Sequence, residues 1–365
     1  MNTAIVETIN VTREVAWLPW AVSYFFLIGL SYGAFLLSLP GIVLRRPGWE
    51  GISRLALLGA LVCGLTAPVA LLADLHQPGR FWHFYAHFTP TSWMSWGAFF
   101  IPLYLGGLLL YAWLAFRPLL AAHGNEGGRL AGLARVLAYG GLESRPALLG
   151  AAAVALLGAV LVALYTGVEV MVVRARPLWD TPLLPVQFVL TALAGAVGLA
   201  LLFNRFGAAA PNGTAVVRMA RVLAAIELAV LLAGALWLAL GLSGLGPTHA
   251  EALDQVAHSP AWRLTAAWAA GATALTLLLA WLRPGSGLLI GLLALHSAWM
   301  MRWTVFIGGQ EVPKTGAGFY SYELPLGPEG LLGIAGTAGL WIFILVLATT
   351  LLPLDRLAPA GRSGA

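Results

Sequence analysis

Apolar residues here fall in long unbroken runs. They show neither the alternation of a half-buried strand nor the narrow stripe of a surface helix. Nine runs can be read, at about residues 16–44, 54–74, 92–116, 147–173, 182–204, 217–242, 261–282, 286–308 and 330–353. Each is long enough to cross a bilayer as a helix, and lipid forces every backbone polar group to be satisfied within such a segment. The pattern predicts an all-α fold, a polytopic transmembrane bundle forming one integral membrane domain over residues 1–365. The longest connections, near 117–146, 243–260 and 309–329, have room only for loops or short amphipathic pieces. The prolines and glycines of "SLPGIVL" and "GLTAPVA" are compatible with spans, because neighbouring helices re-satisfy the freed backbone groups.

Composition agrees with the pattern. Hydrophobic residues make up 60%, charged residues 10%, and the mean hydropathy is +0.85, which excludes an ordinary soluble globular protein. The opening "MNTAIVETINVTREV" is too polar for the core of a signal peptide, so the first span is expected to direct insertion. The single cysteine, Cys63, excludes a cysteine-ligated iron–sulfur cluster and an internal disulfide.

The formal charge of +5 reads as topology, and no nucleic-acid partner is expected. Thirteen basic residues fall on one side of the spans: Arg45, Arg46, Arg54, Arg117, Arg129, Arg135, Arg145, Arg205, Arg218, Arg221, Arg283, Arg356 and Arg362. Six fall on the other: Arg13, Arg80, Arg174, Arg176, Arg263 and Lys314. Basic loops stay in the cytoplasm, so an N-out, C-in protein of the inner (cytoplasmic) membrane is expected. The outer side then holds "ADLHQPGRFWHFYAHFTPTSW", "VVRARPLWDTPLLP" and "GGQEVPKTGAGFYSYELPLGPEG". An interfacial belt accounts for scattered Trp and Tyr, but a belt needs no Asp, Arg or Gln. These three loops are therefore expected to form a docking face outside the cytoplasm.

Ionisable groups within spans are costly and tend to mark function. Glu169, Glu227, His296 and Arg302 are of this kind, and Asp74 ends the second span. Glu169 lies ~6 Å inside the outer end of the fourth span, Arg302 at a similar depth in the eighth. Tyr165, four residues before Glu169, shares its helix face. Polar groups from several spans thus converge on one outer layer, as a two-electron, two-proton carrier such as a quinone requires. The alternative is an internal ion pair of Arg302 with Glu169 or Asp74 that only fixes packing. Glu227 and His296 lie near mid-membrane, where they either begin a proton path or pack by hydrogen bonding. His296 is the only histidine well inside a span, so bis-histidine haem ligation is not expected. His83 and His87 have helical i, i+4 spacing, which by itself is weak evidence for a metal.

Three segments carry a resemblance. "ADLHQPGRFWHFYAHFTPTSWMSWGAF" resembles the Asp-Leu…Pro-x-Arg-Phe…Pro-Thr-Ser-x-Met-Ser-Trp-Gly signature of the NrfD/PsrC family of membrane subunits. "LYTGVEVMVVRARPLWDTPLLPVQFVLTAL" is similar to that family's Tyr-x-Gly…Pro-Leu-Trp…Leu-Pro segment, and "MMRWTVFIGGQEVP" to its Arg…Gly-Gly-Gln motif. The ninth span exceeds the eight of the smallest members.

The resemblance implies a haem-free anchor that reacts with quinone (menaquinone or ubiquinone) and carries no iron–sulfur cluster of its own. It implies an extracytoplasmic four-cluster iron–sulfur subunit as partner, beside a molybdopterin catalytic subunit acting on polysulfide, thiosulfate, tetrathionate or an arsenic oxyanion. It implies Tyr165 at the quinone head group, with Asp74, Arg80, Arg302 and Gln310 at recurrent polar positions. A polar Asn/His pair in the first span of some relatives falls here on Ala21 and Tyr24, which makes Tyr24 the substitute. Beside these, Asp74 and Arg80 are expected to fix the first loop across its turn, with His76 relaying protons at the pocket mouth. The alternative function is a proton-translocating or transporter-like module with Glu227, His296 and Arg302 along its path.

Overall fold

The computed structural model describes residues 15–127, 130–140, 144–207, 213–312 and 320–357. Of the basic residues in the charge tally, Arg13, Arg129, Lys314 and Arg362 lie outside these. Among the described residues nine helices are long and apolar enough to span a membrane. They are α1 (Pro19–Ile42), α2 (Glu50–Asp74), α3 (Trp93–Asn125), α4 (Arg145–Met171), α5 (Leu183–Gly207), α6 (Gly213–Ser243), α7 (Pro260–Leu282), α8 (Gly287–Glu311) and α9 (Leu331–Leu351). No strand occurs among the described residues. The protein is a multi-pass, all-α membrane protein.

The helices are not equivalent. α1, α2 and α5 are buried on most sides and form the centre, whereas α7 and α9 are largely exposed at the rim, where lipid meets them. α1 packs along α2 and α5, α3 pairs with α4, and α8 lies along α5. Small residues make the close approaches. Gly198 of α5 and Gly291 of α8 face each other so tightly that a methyl group on either would fall within 2.9 Å of the other's carbonyl oxygen. Hydroxyl groups stitch the centre: the Ser31 hydroxyl donates to the Ala60 carbonyl at 2.8 Å and meets the Tyr104 hydroxyl at 2.8 Å.

The two ends differ in chemistry. At one end arginines satisfy backbone carbonyls of the α1–α2 corner: Arg145 donates to those of Ile42 and Val43 at the end of α1, and Arg218 to those of Pro47 and Gly48 in the connection. The opposite end, here called the loop face, carries the α2–α3 connection with a 3-10 turn (Pro78–Arg80) and a short helix (His83–Ala86). It also carries the α4–α5 connection and the helix Pro247–Ala257. α3 runs on to Asn125, past its expected end, and Arg117 at the start of the extension is buried and stacks on Trp113 (5.3 Å).

Candidate functional site

Just inside the loop face, α1, α3 and α4 bring Tyr24, Gly97, Tyr165 and Glu169 together. Tyr24, Tyr165 and Glu169 are 0%, 3% and 8% exposed. Tyr165 and Glu169 share a face of α4 through their i, i+4 spacing, and the Tyr165 side chain interacts with both Glu169 and Tyr24. A methyl group at Gly97 would sit 2.4 Å from Cζ of Tyr165, the carbon that bears the hydroxyl, so the missing side chain is the seat of the phenol. Oε2 of Glu169 and the Tyr24 hydroxyl are buried, and neither completes a hydrogen bond of ordinary geometry.

A second polar layer surrounds Arg302, which is 1% exposed. Its guanidinium donates to the Phe188 carbonyl at 2.7 Å and to the Thr191 hydroxyl, and it lies 4.8 Å over the Phe188 ring. The Thr191 hydroxyl in turn donates to the Gln187 carbonyl at 2.6 Å. Tyr32 stands against both Arg302 and Thr166, which joins this layer to α4. Gly29 leaves the space into which the guanidinium reaches. Arg302 makes no salt bridge to Glu169 or Asp74, so the ion pair that the sequence left as an alternative is not formed. Hydroxyl and carbonyl oxygens hold the cation in place of a counter-charge.

The remaining sequence candidates are distributed as follows. Asp74 Oδ1 accepts the Leu18 N–H at 3.1 Å, placing an acid at the start of α1, where the helix dipole favours it. Asp74 does not pair with Arg80, which is exposed in the 3-10 turn. Gln310 clamps the approach to α1: its Oε1 accepts the N–H groups of Ala16 (2.8 Å) and Trp17 (3.1 Å), and its Nε2 donates to the carbonyls of Trp17 and Phe306. Just after Arg302 the helix widens into a π turn, Thr304–Gly308, a feature frequent at functional sites.

The "RARPLW" segment locks onto that turn. The Trp179 indole donates to Val305 (2.9 Å) and rests where a Gly309 side chain would be, while Arg176 donates to the carbonyls of Gly309 and Val312. Burial lowers the Arg176 guanidinium from its ordinary value, and the Trp179 ring 4.9 Å away faces its charge. Trp17 stacks on Trp179 at 5.8 Å and meets the Phe306 ring, tilted, at 4.9 Å.

His76 and Arg80 line a cavity of about 470 Å³ in the α2–α3 connection, together with His83, His87, Thr89 and Ser95. Among the described residues no three of His, Cys, Asp and Glu are grouped to hold a metal ion. Glu227 on α6 is 1% exposed, and its Oε1 has no partner among the described residues. His296 Nε2 accepts the Trp268 indole N–H at 2.8 Å. Glu227 and His296 therefore sit in separate surroundings, with no hydrogen bond joining them.

The three quoted motifs meet around the start of α1: Asp74 and Gly97 from the first, Tyr165 and Trp179 from the second, Arg302 and Gln310 from the third. A family model described as "Polysulphide reductase, NrfD" matches residues 7–314. The protein belongs to the NrfD family. Every residue of both polar layers lies within the NrfD match, and α9 lies beyond it. Among curated relatives, a tetrathionate reductase subunit of Salmonella typhimurium is 37% identical over 356 residues, covering 94% of each sequence. A selenate reductase subunit of Mesobacillus selenatarsenatis is 30% identical over 57% of this protein and 52% of its own length. A polysulfide reductase polypeptide of Wolinella succinogenes is 30% identical over 53% of this protein and 59% of its own length.

Nothing in the sequence pattern singles out Tyr32 and Thr191, or gives a role to Gly97. Gly97 stands in plain view within "MSWGAF", but the string does not show that its partner is a tyrosine on another helix. Tyr32 and Thr191 carry no motif.

Proposed function

We propose that this protein is the quinone-reactive membrane subunit of a respiratory reductase complex. It exchanges electrons between the membrane quinone pool and a four-cluster iron–sulfur subunit docked on the loop face, which serves a molybdopterin catalytic subunit. The 94% mutual coverage with a tetrathionate reductase subunit supports a sulfur oxyanion as terminal substrate and quinol as the electron source here. The arginine bias supports an inner-membrane protein with the loop face outside the cytoplasm.

One observation carries the quinone assignment. Two buried polar atoms, Glu169 Oε2 and the Tyr24 hydroxyl, stand beside Tyr165 with hydrogen-bonding capacity unused. Buried polar groups are nearly always satisfied, so an unsatisfied pair at one spot calls for a ligand. A quinone head group fits the chemistry of that set. Tyr165 and Tyr24 supply hydroxyl donors for its oxygens, and Glu169 holds or receives the proton that accompanies each electron. The quinone supplies the two-electron chemistry, and the protein supplies orientation, a dry pocket and a proton acceptor. Arg302 places a fixed positive charge on the same side of the bundle, and the π turn beside it ties that charge to the docking surface through Gln310, Trp179 and Arg176.

The test is quinol-linked turnover by the assembled complex carrying Tyr165→Phe. Loss of one hydrogen bond at the reacting oxygen is worth roughly tenfold or more at a charged group, with assembly and artificial-dye activity of the partner subunits retained. Unchanged quinol kinetics in a correctly assembled variant removes Tyr165 from the site.

A second reading, a proton-translocating module, is favoured by one feature, the buried and unpartnered carboxyl oxygen of Glu227. Proton uptake by the complex in sealed vesicles, compared between wild type and Glu227→Gln, decides it.

A further inference from the structure

The segments of the loop face differ in charge. Among the described residues, the α4–α5 connection mixes Arg174 and Arg176 with Asp180. The helix Pro247–Ala257 exposes Glu251 and Asp254, and the α8–α9 connection exposes Glu323 and Glu329. The α2–α3 connection, residues 75–92, is the exception, with one arginine, three histidines and no acid. Its His76, Arg80, His83 and His87 all line the 470 Å³ cavity, and no carboxylate lines it with them. The nearest acid in sequence, Asp74, is committed to the Leu18 N–H. The Arg80 side chain is exposed and makes no hydrogen bond or ion pair with any described residue.

The walls of this hollow are braced. The Arg80 N–H donates to the Gln77 carbonyl at 2.9 Å, and the His87 N–H to the His83 carbonyl at 2.8 Å. The Thr89 N–H donates to the Ser95 hydroxyl at 3.3 Å, and the Trp96 indole to the Pro90 carbonyl at 3.0 Å, which ties the connection to α3. Phe88 meets the Trp96 ring edge-on at 4.9 Å, and the His83 ring stands edge-on to Trp82 at 4.1 Å. A hollow ordered in this way pays little entropy on binding.

We propose that the cavity is a socket for an acidic segment of the iron–sulfur subunit, a loop that inserts Asp or Glu side chains. The proposal rests on the docking reading above and adds the chemistry of the contact. Arg80 offers a planar fork matched to a carboxylate, and the imidazole N–H groups beside it are further donors. Phe81 on the cavity wall and its neighbour Trp82 are each about half exposed. Aromatic and arginine side chains are the types enriched at protein–protein contacts. The volume falls within the ~300–1,000 Å³ of ligand-sized pockets, so it admits several side chains, whereas one small inorganic anion leaves most of it empty. Acids elsewhere on the face repel the same segment, so it has one place to enter, and that fixes the partner's orientation.

Carbodiimide cross-linking of the assembled complex tests this. Arg80→Lys places an amine in the socket, and the reagent joins amine to carboxylate without a spacer, only where the two touch. The protein has a single natural lysine, Lys314, so the new linkage is easily traced. Peptide mass mapping is expected to find an amide between position 80 and an Asp or Glu of the iron–sulfur subunit. Arg80→Glu reverses the charge, and the iron–sulfur subunit retained through detergent purification should fall roughly tenfold or more. Yield and Tm of the membrane subunit itself stay unchanged. Reversing the carboxylate that the cross-link identifies to lysine should restore most of the retention lost in Arg80→Glu. An amide formed only with lipid, or only with this protein's own carboxylates, overturns the socket. So does full retention by Arg80→Glu, or a loss that the partner's reversed charge leaves untouched. Arg80→Lys keeps the test decisive if the glutamate variant is poorly made. If the wild-type protein retains no iron–sulfur subunit, the docking reading itself falls; if it does and these results fail, only the socket falls.

Discussion

Arg302 and Glu169 are both ionisable residues buried in spanning helices near the loop face, and the protein treats them in opposite ways. Arg302 is held by the Phe188 carbonyl, the Thr191 hydroxyl and an aromatic face, with one nitrogen, Nε, left over. Glu169 has Tyr165 beside it and one oxygen, Oε2, without a hydrogen-bond partner among the described residues. A guanidinium buried without a counter-ion is costly, and hydrophobic replacement of buried charges is often neutral or stabilising. In the proposed function, Arg302 supplies a fixed electrostatic field. In the same proposal the carboxyl is the complement: one layer supplies a charge that stays, and the other a proton that leaves.

Substitutions can pull these two roles apart. Glu169→Gln keeps shape and burial but ends proton exchange, so quinol turnover should fall by roughly a hundredfold, with complex yield and thermal stability at least equal to wild type. A stability loss that matched the activity loss would make Glu169 a packing residue. Arg302→Lys keeps the charge but loses the planar fork that reaches Thr191 and Phe188 together. It should assemble and retain dye activity while losing roughly tenfold of quinone-linked activity, the value of about one charged hydrogen bond. Near-wild-type quinone activity would return Arg302 to a purely structural role.

Gly97→Ala acts on the carboxyl's layer by displacing the Tyr165 ring. Overpacking of this kind costs ~1–3 kcal/mol, seen as a lower Tm, and quinol turnover should fall several-fold. On a Tyr165→Phe background the same change should add nothing to the activity loss, because the hydroxyl it misplaces is already gone. Additive losses would separate Gly97 from the site.

The smallest effect lies at the opposite end of the bundle. Glu126 and Arg356 form a solvent-facing pair at 2.5 Å. Arg356 holds the Glu126 carboxyl below the usual carboxylate range, so any stabilisation is present at neutral pH and disappears as pH falls through that lowered value. Glu126→Gln should leave Tm unchanged at pH 7, since exposed pairs contribute little. A clear drop at pH 7 that vanished in acid would show the pair anchoring the C-terminal end.

The helices were legible because twenty apolar residues have few alternatives in lipid. The polar layer was legible in part, because Tyr165 and Glu169 are four residues apart and share a face whatever surrounds them. The same depth argument set Arg302 beside the acids, but not what it bonds. Depth along a helix follows from residue number, whereas the direction a side chain takes follows from packing. Asp74 illustrates the limit. Its neighbour in sequence is the Arg80 turn, yet its carboxylate faces Leu18 on another helix, since an unsatisfied helix N-terminus is a stronger claim on an acid than an exposed guanidinium. Gly97 shows the converse, an omitted side chain whose meaning lies on a partner helix 68 residues later.

The Gln310 clamp has a consequence in time. Its partners, Ala16 and Trp17, precede it by 294 and 293 residues, whereas Asp74, which holds Leu18, follows by only 56. At ~5–20 residues per second of synthesis, the first helix receives its Asp74 contact within roughly 3–11 s and waits roughly 15–60 s for the glutamine. Through that interval α1 is held at Leu18 alone, Ala16 and Trp17 lack their clamp, and Phe306 has not joined the Trp17 and Trp179 rings. Closure of the clamp marks the moment when the nascent polypeptide presents a finished loop face. A partner that recognises this face thereby selects completed molecules over truncated ones.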